Sequence, residues 1–256
     1  MFTPEDRERI RADLLERSTG DARISGAAIT GSAAAEREDA LSDIDLAFGI
    51  EPADALPGTL ADWTTYLYQE HRALHHLDVR SDAWIYRVFL LPGTLQVDLA
   101  FVPAAEFRAR AATFRLVHGR AGAELHKSTP DPTTLIGLGW LYALHARSSI
   151  ARRRFWQAEY MISGVRDHAL ALACIRHGMP ASEGRGFDQL PPEVADPFEH
   201  SLVCRIERED LVRALHAVLK RLLVEIQAVD RELASRLEPT ILELAQSLNA
   251  RAPAKP

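Results

Sequence analysis

Apolar positions recur at two different periods along this chain, and the change of period divides it. Short apolar runs at 22–30, 44–48, 83–91 and 95–102 predict strands, the last two joined by Pro92-Gly93 in a hairpin turn. Asp78-Val79-Arg80 adds another short strand. Residues 4–16 predict a helix, with Thr3 as N-cap, Pro4 in the first turn and acids at Glu5 and Asp6. Its apolar positions, Ile10, Leu14 and Leu15, form a narrow stripe. A further helix is predicted over 59–74, with Leu60, Trp63, Leu67 and His71 near one face, and a shorter one over about 33–39. Residues 117–125, with Gly119 and Gly122, read as a short hairpin or a loop.

From Asp131-Pro132 onward, apolar residues return at every third and fourth position. They are Leu135, Leu138, Leu141 and Tyr142, then Met161, Ile162, Val165, Ala169 and Leu172, then Leu211, Leu215, Val218, Leu222 and Ile226. Residues 230–248 continue the pattern, and 178–197 form a connection containing Gly and Pro. The expected fold class is α+β: a mixed sheet with helices, followed by a helical bundle packed against it. The boundary is expected near Pro130, giving 1–130 for the first domain, 131–250 for the bundle and 251–256 for a disordered tail.

Composition narrows the function classes. The chain has 256 residues and is 47% hydrophobic, enough for a substantial core. A net charge of −6 argues against nonspecific nucleic-acid binding, which needs a basic face, and suits a cationic small substrate. Cys174 and Cys204 are too few for a disulfide framework or a zinc site. Met1 leads directly into a charged helix start, and the longest apolar stretch, 135–146, is too short to span a bilayer. The expectation is a cytoplasmic protein with no membrane or nucleic-acid partner.

The chemistry-bearing stretch is Ile29-Thr30-Gly31-Ser32, then ten residues, then Asp43-Ile44-Asp45-Leu46. Alternation along a strand sends Asp43 and Asp45 to one face, where two carboxylates repel unless a cation lies between them. Hard cations such as Mg²⁺ take such oxygen ligands together with substrate phosphates. Gly31 permits close backbone approach, and a helix starting at Ser32 offers unpaired N–H groups to an anion. Asp98 stands alone in the apolar run Leu95-Gln96-Val97-Asp98-Leu99-Ala100-Phe101-Val102. Otherwise Asp43 would be a turn residue, with Asp45 and Asp98 buried paired acids, an arrangement that is costly without a cation.

This ordered set resembles the signature of the nucleotidyltransferase superfamily related to DNA polymerase β. Ser42-Asp43-Ile44-Asp45-Leu46 is especially similar to the small antibiotic-modifying and minimal nucleotidyltransferases. The resemblance implies a polymerase β palm-like catalytic domain in which Asp43 and Asp45 hold two Mg²⁺ ions. Asp98 would then hold the ion that activates the acceptor hydroxyl. It implies Gly31 and Ser32 at the phosphates, Ser42 as a further nucleotide-binding residue, and ATP or another NTP as co-substrate. The family's commoner form places Ala-Arg-Gly shortly after Gly-Ser, whereas Ala33-Ala34-Ala35-Glu36-Arg37 stands here. Arg37 is therefore the candidate for the missing basic side chain.

A second cluster comprises Arg152, Arg153, Arg154, Trp156, Glu159 and Arg166. On one continuous helix, Arg152, Trp156 and Glu159 would share a face. Arg152 suits bidentate phosphate contact, and Trp156 suits stacking on a base or sugar; a solvated basic turn with Trp156 in the core is the alternative. Antibiotic nucleotidyltransferases often draw a general-base Glu from the helical half, which makes Glu159 a candidate, against a plain salt bridge to Arg152 or Arg166. Asp98 is the other candidate base. His71, His75 and His76 with Asp78 have metal-like spacing on a helix, although the Glu that marks zinc peptidases is missing, and a helix end is the simpler reading.

The expected function is Mg²⁺-dependent transfer of a nucleoside monophosphate, AMP first, to a hydroxyl of a small molecule, with release of pyrophosphate. An aminoglycoside- or lincosamide-like antibiotic is the acceptor class the resemblance suggests. A protein or RNA acceptor is the first alternative, and a non-catalytic nucleotide-binding module the second. A homodimer is left open.

Overall fold

The computed structural model describes residues 1–125 and 129–248, and the chain divides into two compact units, Met1–Lys127 and Ser128–Pro256. The tail expected at 251–256 lies outside the described residues. Among the described residues, six strands form one mixed sheet and eight α-helices accompany it, so the architecture is mixed α+β. No described helix is long and apolar enough to cross a membrane.

The first unit holds α1 (Pro4–Gly20), β1 (Ile24–Thr30), α2 (Gly31–Ala34), β2 (Ile44–Ile50), α3 (Leu56–Gln69), β3 (His75–Ser81), β4 (Trp84–Leu90), β5 (Gln96–Pro103) and β6 (Phe114–Gly119). The strand order is β3-β4-β5-β2-β1-β6, with β2 and β5 parallel and the other neighbours antiparallel. Thr3 caps α1 in a reciprocal capping box with Asp6. Alternation then sorts the strands into two faces. Ile44, Leu46, Phe48 and Ile50 of β2 pack with Leu14 of α1 and with Leu60, Trp63 and Leu67 of α3. Trp63 lies 4.7 Å from Phe48 and 5.9 Å, edge-on, from Phe101, and its indole N–H donates to Asp21. Each buried aromatic ring of this size contributes roughly 2–3 kcal/mol through its area.

The opposite face carries a smaller cluster, Ala28, Ala47, Ala100, Val102, Trp84 and Phe107. Ala28, Ala47 and Ala100 are level across β1, β2 and β5, so the middle of this face is built from methyl groups. Among the described residues, no helix of the first unit contributes to that cluster.

Three expectations are corrected here. Of the segment read as hairpin or loop at 117–125, residues 117–119 instead end β6, an edge strand paired with β1, while 120–125 are irregular as the loop alternative has it. The helix expected over 33–39 is only the single turn α2, after which the chain loops back to Asp43. His71 follows α3 and bonds Asp13, while His75 and His76 lie on β3, so no helix face carries these histidines together. His76 bonds the Tyr68 hydroxyl, and residues 75 and 76 point to opposite faces of the strand.

The second unit holds α4 (Pro132–Ala151), α5 (Phe155–Arg176), α6 (Pro192–Glu199), α7 (Arg208–Val229) and α8 (Arg231–Gln246). Asp131 caps α4 through the N–H groups of Thr133 and Thr134, and Asp230 both ends α7 and caps α8. Ile136, Ile150, Ile162, Val165, Leu172, Leu215 and Leu222 belong to one core. Glycines bring the helices close: a Cβ on Gly139 would meet Leu222, and one on Gly164 would meet Tyr142. Arg176 holds the buried Glu225 at 2.8 and 3.0 Å, so that charge is paired.

Candidate active site

Construction of the site begins with the loop between α2 and β2. Arg7 and Arg11, on the inner side of α1 with Leu14 and Ser18, are buried charged residues. Arg7 donates through Nη1 to the carbonyls of Asp39 at 2.6 Å and Ser42 at 3.1 Å, and Arg11 pairs with Glu38 at 2.8 Å. Buried guanidinium groups tolerate this only because carboxylate and carbonyl oxygens meet their N–H groups. The loop that delivers Asp43 to the sheet is thus fastened to α1. Ser42 closes a turn with Asp39, accepting the Asp39 N–H and donating to its carboxylate.

On β2 and β5 the parallel pairing sets Asp45 level with Asp98. Directly opposed residues of neighbouring strands share a face, so the two carboxylates rise side by side from the face opposite α1 and α3. Asp43, two residues earlier, joins them, and Gln96 donates to its Oδ2 at 3.2 Å. Burial, reinforced by the Asp43 carboxylate, pushes the Asp98 carboxyl up to about 6. Its Oδ1 is buried and lacks a hydrogen-bond partner. Among the described residues no three His, Cys, Asp or Glu side chains are already gathered as a metal-binding group. The carboxylates are linked pairwise instead, Asp43 with Asp98 by charge and Asp45 with Asp98 by register.

Gly31 opens α2 with φ +64°, and a Cβ there would overlap the Asp45 carboxylate. Both facts require glycine, because an L side chain is strained in this conformation and its first carbon has no space. Gly31→Ala is expected to lower stability by about 1–3 kcal/mol in urea unfolding. Adding Asp45→Ala should recover part of that loss, because it removes the clash but leaves the φ strain. An equal cost in both backgrounds would show that Asp45 does not press on Gly31.

The other candidates are placed as follows. Ser32 lies within α2, and its carbonyl accepts the backbone N–H groups of Ala35 and Arg37. The Arg37 side chain is on the exposed part of the loop. Arg152 caps the end of α4, and α5 begins only at Phe155 after a turn in which Arg153 has φ +59°. Arg152, Trp156 and Glu159 therefore do not share one continuous helix. Trp156 is 76% exposed, which removes the core-packing alternative. Glu159 accepts the Ser163 hydroxyl at 2.7 Å, and Ser163 in turn accepts from Arg166 at 2.9 Å, so Arg166 reaches Glu159 through a serine rather than directly. Arg152 and Glu159 belong to the second unit, the remaining candidates to the first.

Sequence reasoning missed Arg7, Arg11 and Gln96. Arg7, Arg11 and Leu14 stand at helical spacing, so the two arginines share the buried side of α1 with Leu14 although their charge alone suggests exposure. Gln96 lies two residues before Asp98 and so shares its face. A separate cleft of about 620 Å³, lined by residues such as Asp13, Arg17, Asp21 and Tyr66, contains none of the candidates.

No family model matches the chain, and no curated protein does. Among solved structures it is similar to an aminoglycoside 6-adenyltransferase from Bacillus subtilis, at 10% identity over 98% of this chain and 100% of that one, with a TM-score of 0.43. A likeness of that strength fixes neither activity nor acceptor.

Proposed function

We propose that this chain is a Mg²⁺-dependent nucleotidyltransferase. It moves a nucleoside monophosphate, with ATP as first donor, from an NTP to a hydroxyl of a small molecule and releases pyrophosphate. The observation that carries this reading is the level placement of Asp45 and Asp98, with a buried Asp98 oxygen that has no partner. A carboxylate desolvated in this way is costly, and a hard cation removes the cost.

The donor set fits Mg²⁺ in kind, being made of carboxylate oxygens on one sheet face. Asp43, Asp45 and Asp98 would hold two ions, and bound metal would supply charge compensation on the entering and leaving oxygens. Around it, the chain's own groups orient the substrates. The N–H groups at Gly31 and Ser32, with the Ser32 hydroxyl, would meet phosphate oxygens. Arg37 and Arg152 are the proposed cationic contacts to the nucleotide. Ser42 serves the site by fixing the loop ahead of Asp43. The acceptor is a small hydroxylated molecule, and aminoglycoside- and lincosamide-like antibiotics are the first classes to test.

The test is pyrophosphate release from each NTP in the presence of Mg²⁺ and a panel of hydroxylated antibiotics. Release that requires NTP, acceptor and metal supports the reading. No release from any combination overturns it. Glu159→Gln assigns the acceptor's proton. As general base, Glu159 should lose roughly 10²- to 10⁴-fold in kcat upon this change, with the nucleotide KM nearly unchanged. An unchanged kcat, with a stability loss below about 1 kcal/mol, would leave the proton to Asp98 and make Glu159 a partner of Ser163.

A further inference from the structure

Beside Asp98 the same sheet face continues onto β4 and β3, and there its character changes. Cross-strand pairing sets Asp45, Asp98, Val88 and Leu77 in one row. The next row toward the alanines is Ala47, Ala100, Tyr86 and Val79, and the row on the other side ends in Gln96, Leu90 and His75. Leu77 is 52% exposed, Val79 49% and Leu90 47%. Single apolar residues at a surface need no explanation, but neighbouring ones on one face and on one side of a candidate site do.

We infer that the acceptor taken at this site is a hydroxylated molecule with an apolar, uncharged flank, seated on the shelf of Leu77, Val79, Tyr86, Val88 and Leu90 beside Asp98. This rests on the transfer reading given above. Phosphoryl transfer places the entering and leaving oxygens on opposite sides of the phosphorus. The Gly31–Ser32 turn follows β1, on one side of the β2 carboxylates, and the shelf lies on the other side, beyond β5. With the leaving pyrophosphate toward β1, the entering hydroxyl comes from β5 and β4.

Charge selects the class of acceptor. Apart from Asp98, the ionisable side chains that β3, β4 and β5 direct to this face are His75 and Tyr86. Asp78 is on the reverse side, tied to Arg87, which itself bonds the Leu60 carbonyl and Thr64 of α3. At the far end of the shelf stands a cation, Arg110, near the Trp84 ring and paired with Asp82 of the β3–β4 turn. An acceptor carrying several ammonium groups would find no spare carboxylate on the shelf and an arginine at its end. An apolar flank would gain by covering the exposed leucine and valine side chains.

The experiment compares three acceptors in the pyrophosphate-release assay with ATP and Mg²⁺: chloramphenicol as a neutral aryl diol, lincomycin with one amine, and kanamycin as a polycation. The shelf predicts kcat/KM at least tenfold higher for one of the first two than for kanamycin. Leu77→Asp, at an exposed edge position, should raise the KM of the better acceptor at least tenfold and leave the ATP KM unchanged. Arg80→Ser, on the opposite face of the same strand, should change neither. Preference for kanamycin, or a Leu77→Asp enzyme with unaltered acceptor KM, overturns the shelf while leaving nucleotidyl transfer standing. Absence of release with every donor and acceptor overturns the transfer reading and the shelf together.

Discussion

Asp45→Asn is expected to lower kcat/KM for nucleotidyl transfer by at least roughly 10³-fold, several kcal/mol of transition-state stabilisation, with the fold unchanged. The amide keeps the shape of the carboxylate against Gly31 but loses the charge that would hold a cation level with Asp98. Asp43→Asn should behave similarly. The check is pyrophosphate release at saturating Mg²⁺, together with far-UV circular dichroism and a melting curve for each variant. Wild-type turnover in either variant would end the two-metal assignment. A variant that has lost activity and also unfolded would not bear on it, which is why both measurements belong to the same preparation.

Asp98→Asn is expected to abolish transfer as well, and to stabilise the metal-free protein at neutral pH. The sign follows from the protons bound by each state. The folded carboxyl is raised to about 6 by burial and by Asp43, from an ordinary 3.8. Below about pH 4 both states hold the proton and the site costs nothing. As pH rises from there to about 6, the unfolded chain releases a proton that the folded chain retains, so stability falls. Above about 6 the penalty is complete, up to about 2–3 kcal/mol for a shift of this size. Asparagine cannot ionise, so in EDTA the variant should melt above wild type at pH 7, with the gap closing towards pH 4. A gap that persists at pH 4, or one of opposite sign at pH 7, would show that burial of the charge is not what Asp98 contributes.

Local pattern was sufficient for much of this molecule. The Thr3 cap, the Pro92-Gly93 turn between β4 and β5, and the long helices after Asp131 each follow from residues within a few positions of one another. The face of Asp45 likewise needs only the pleat of β2, whereas Asp43 lies just before that strand, where Gln96 of β5 bonds it. Tertiary structure decided the rest. The parallel pairing of β2 with β5, separated by α3, β3 and β4 in sequence, brings Asp98 level with Asp45, and no local signal contains that register. The last half of edge strand β6, 117–119, reads locally as hairpin or loop because its ladder is completed by β1, nearly the whole unit away in sequence. Arg7 and Arg11 look like surface charges until the 36–43 loop returns to give their guanidinium groups oxygens to bond. The Arg152–Glu159 face fails for the converse reason. Its spacing is helical, but the backbone turns at Arg153 and starts a new helix at Phe155. Propensity and periodicity act over a turn or a strand, whereas register, burial of charge and helix breaks are settled by which distant segments share a core.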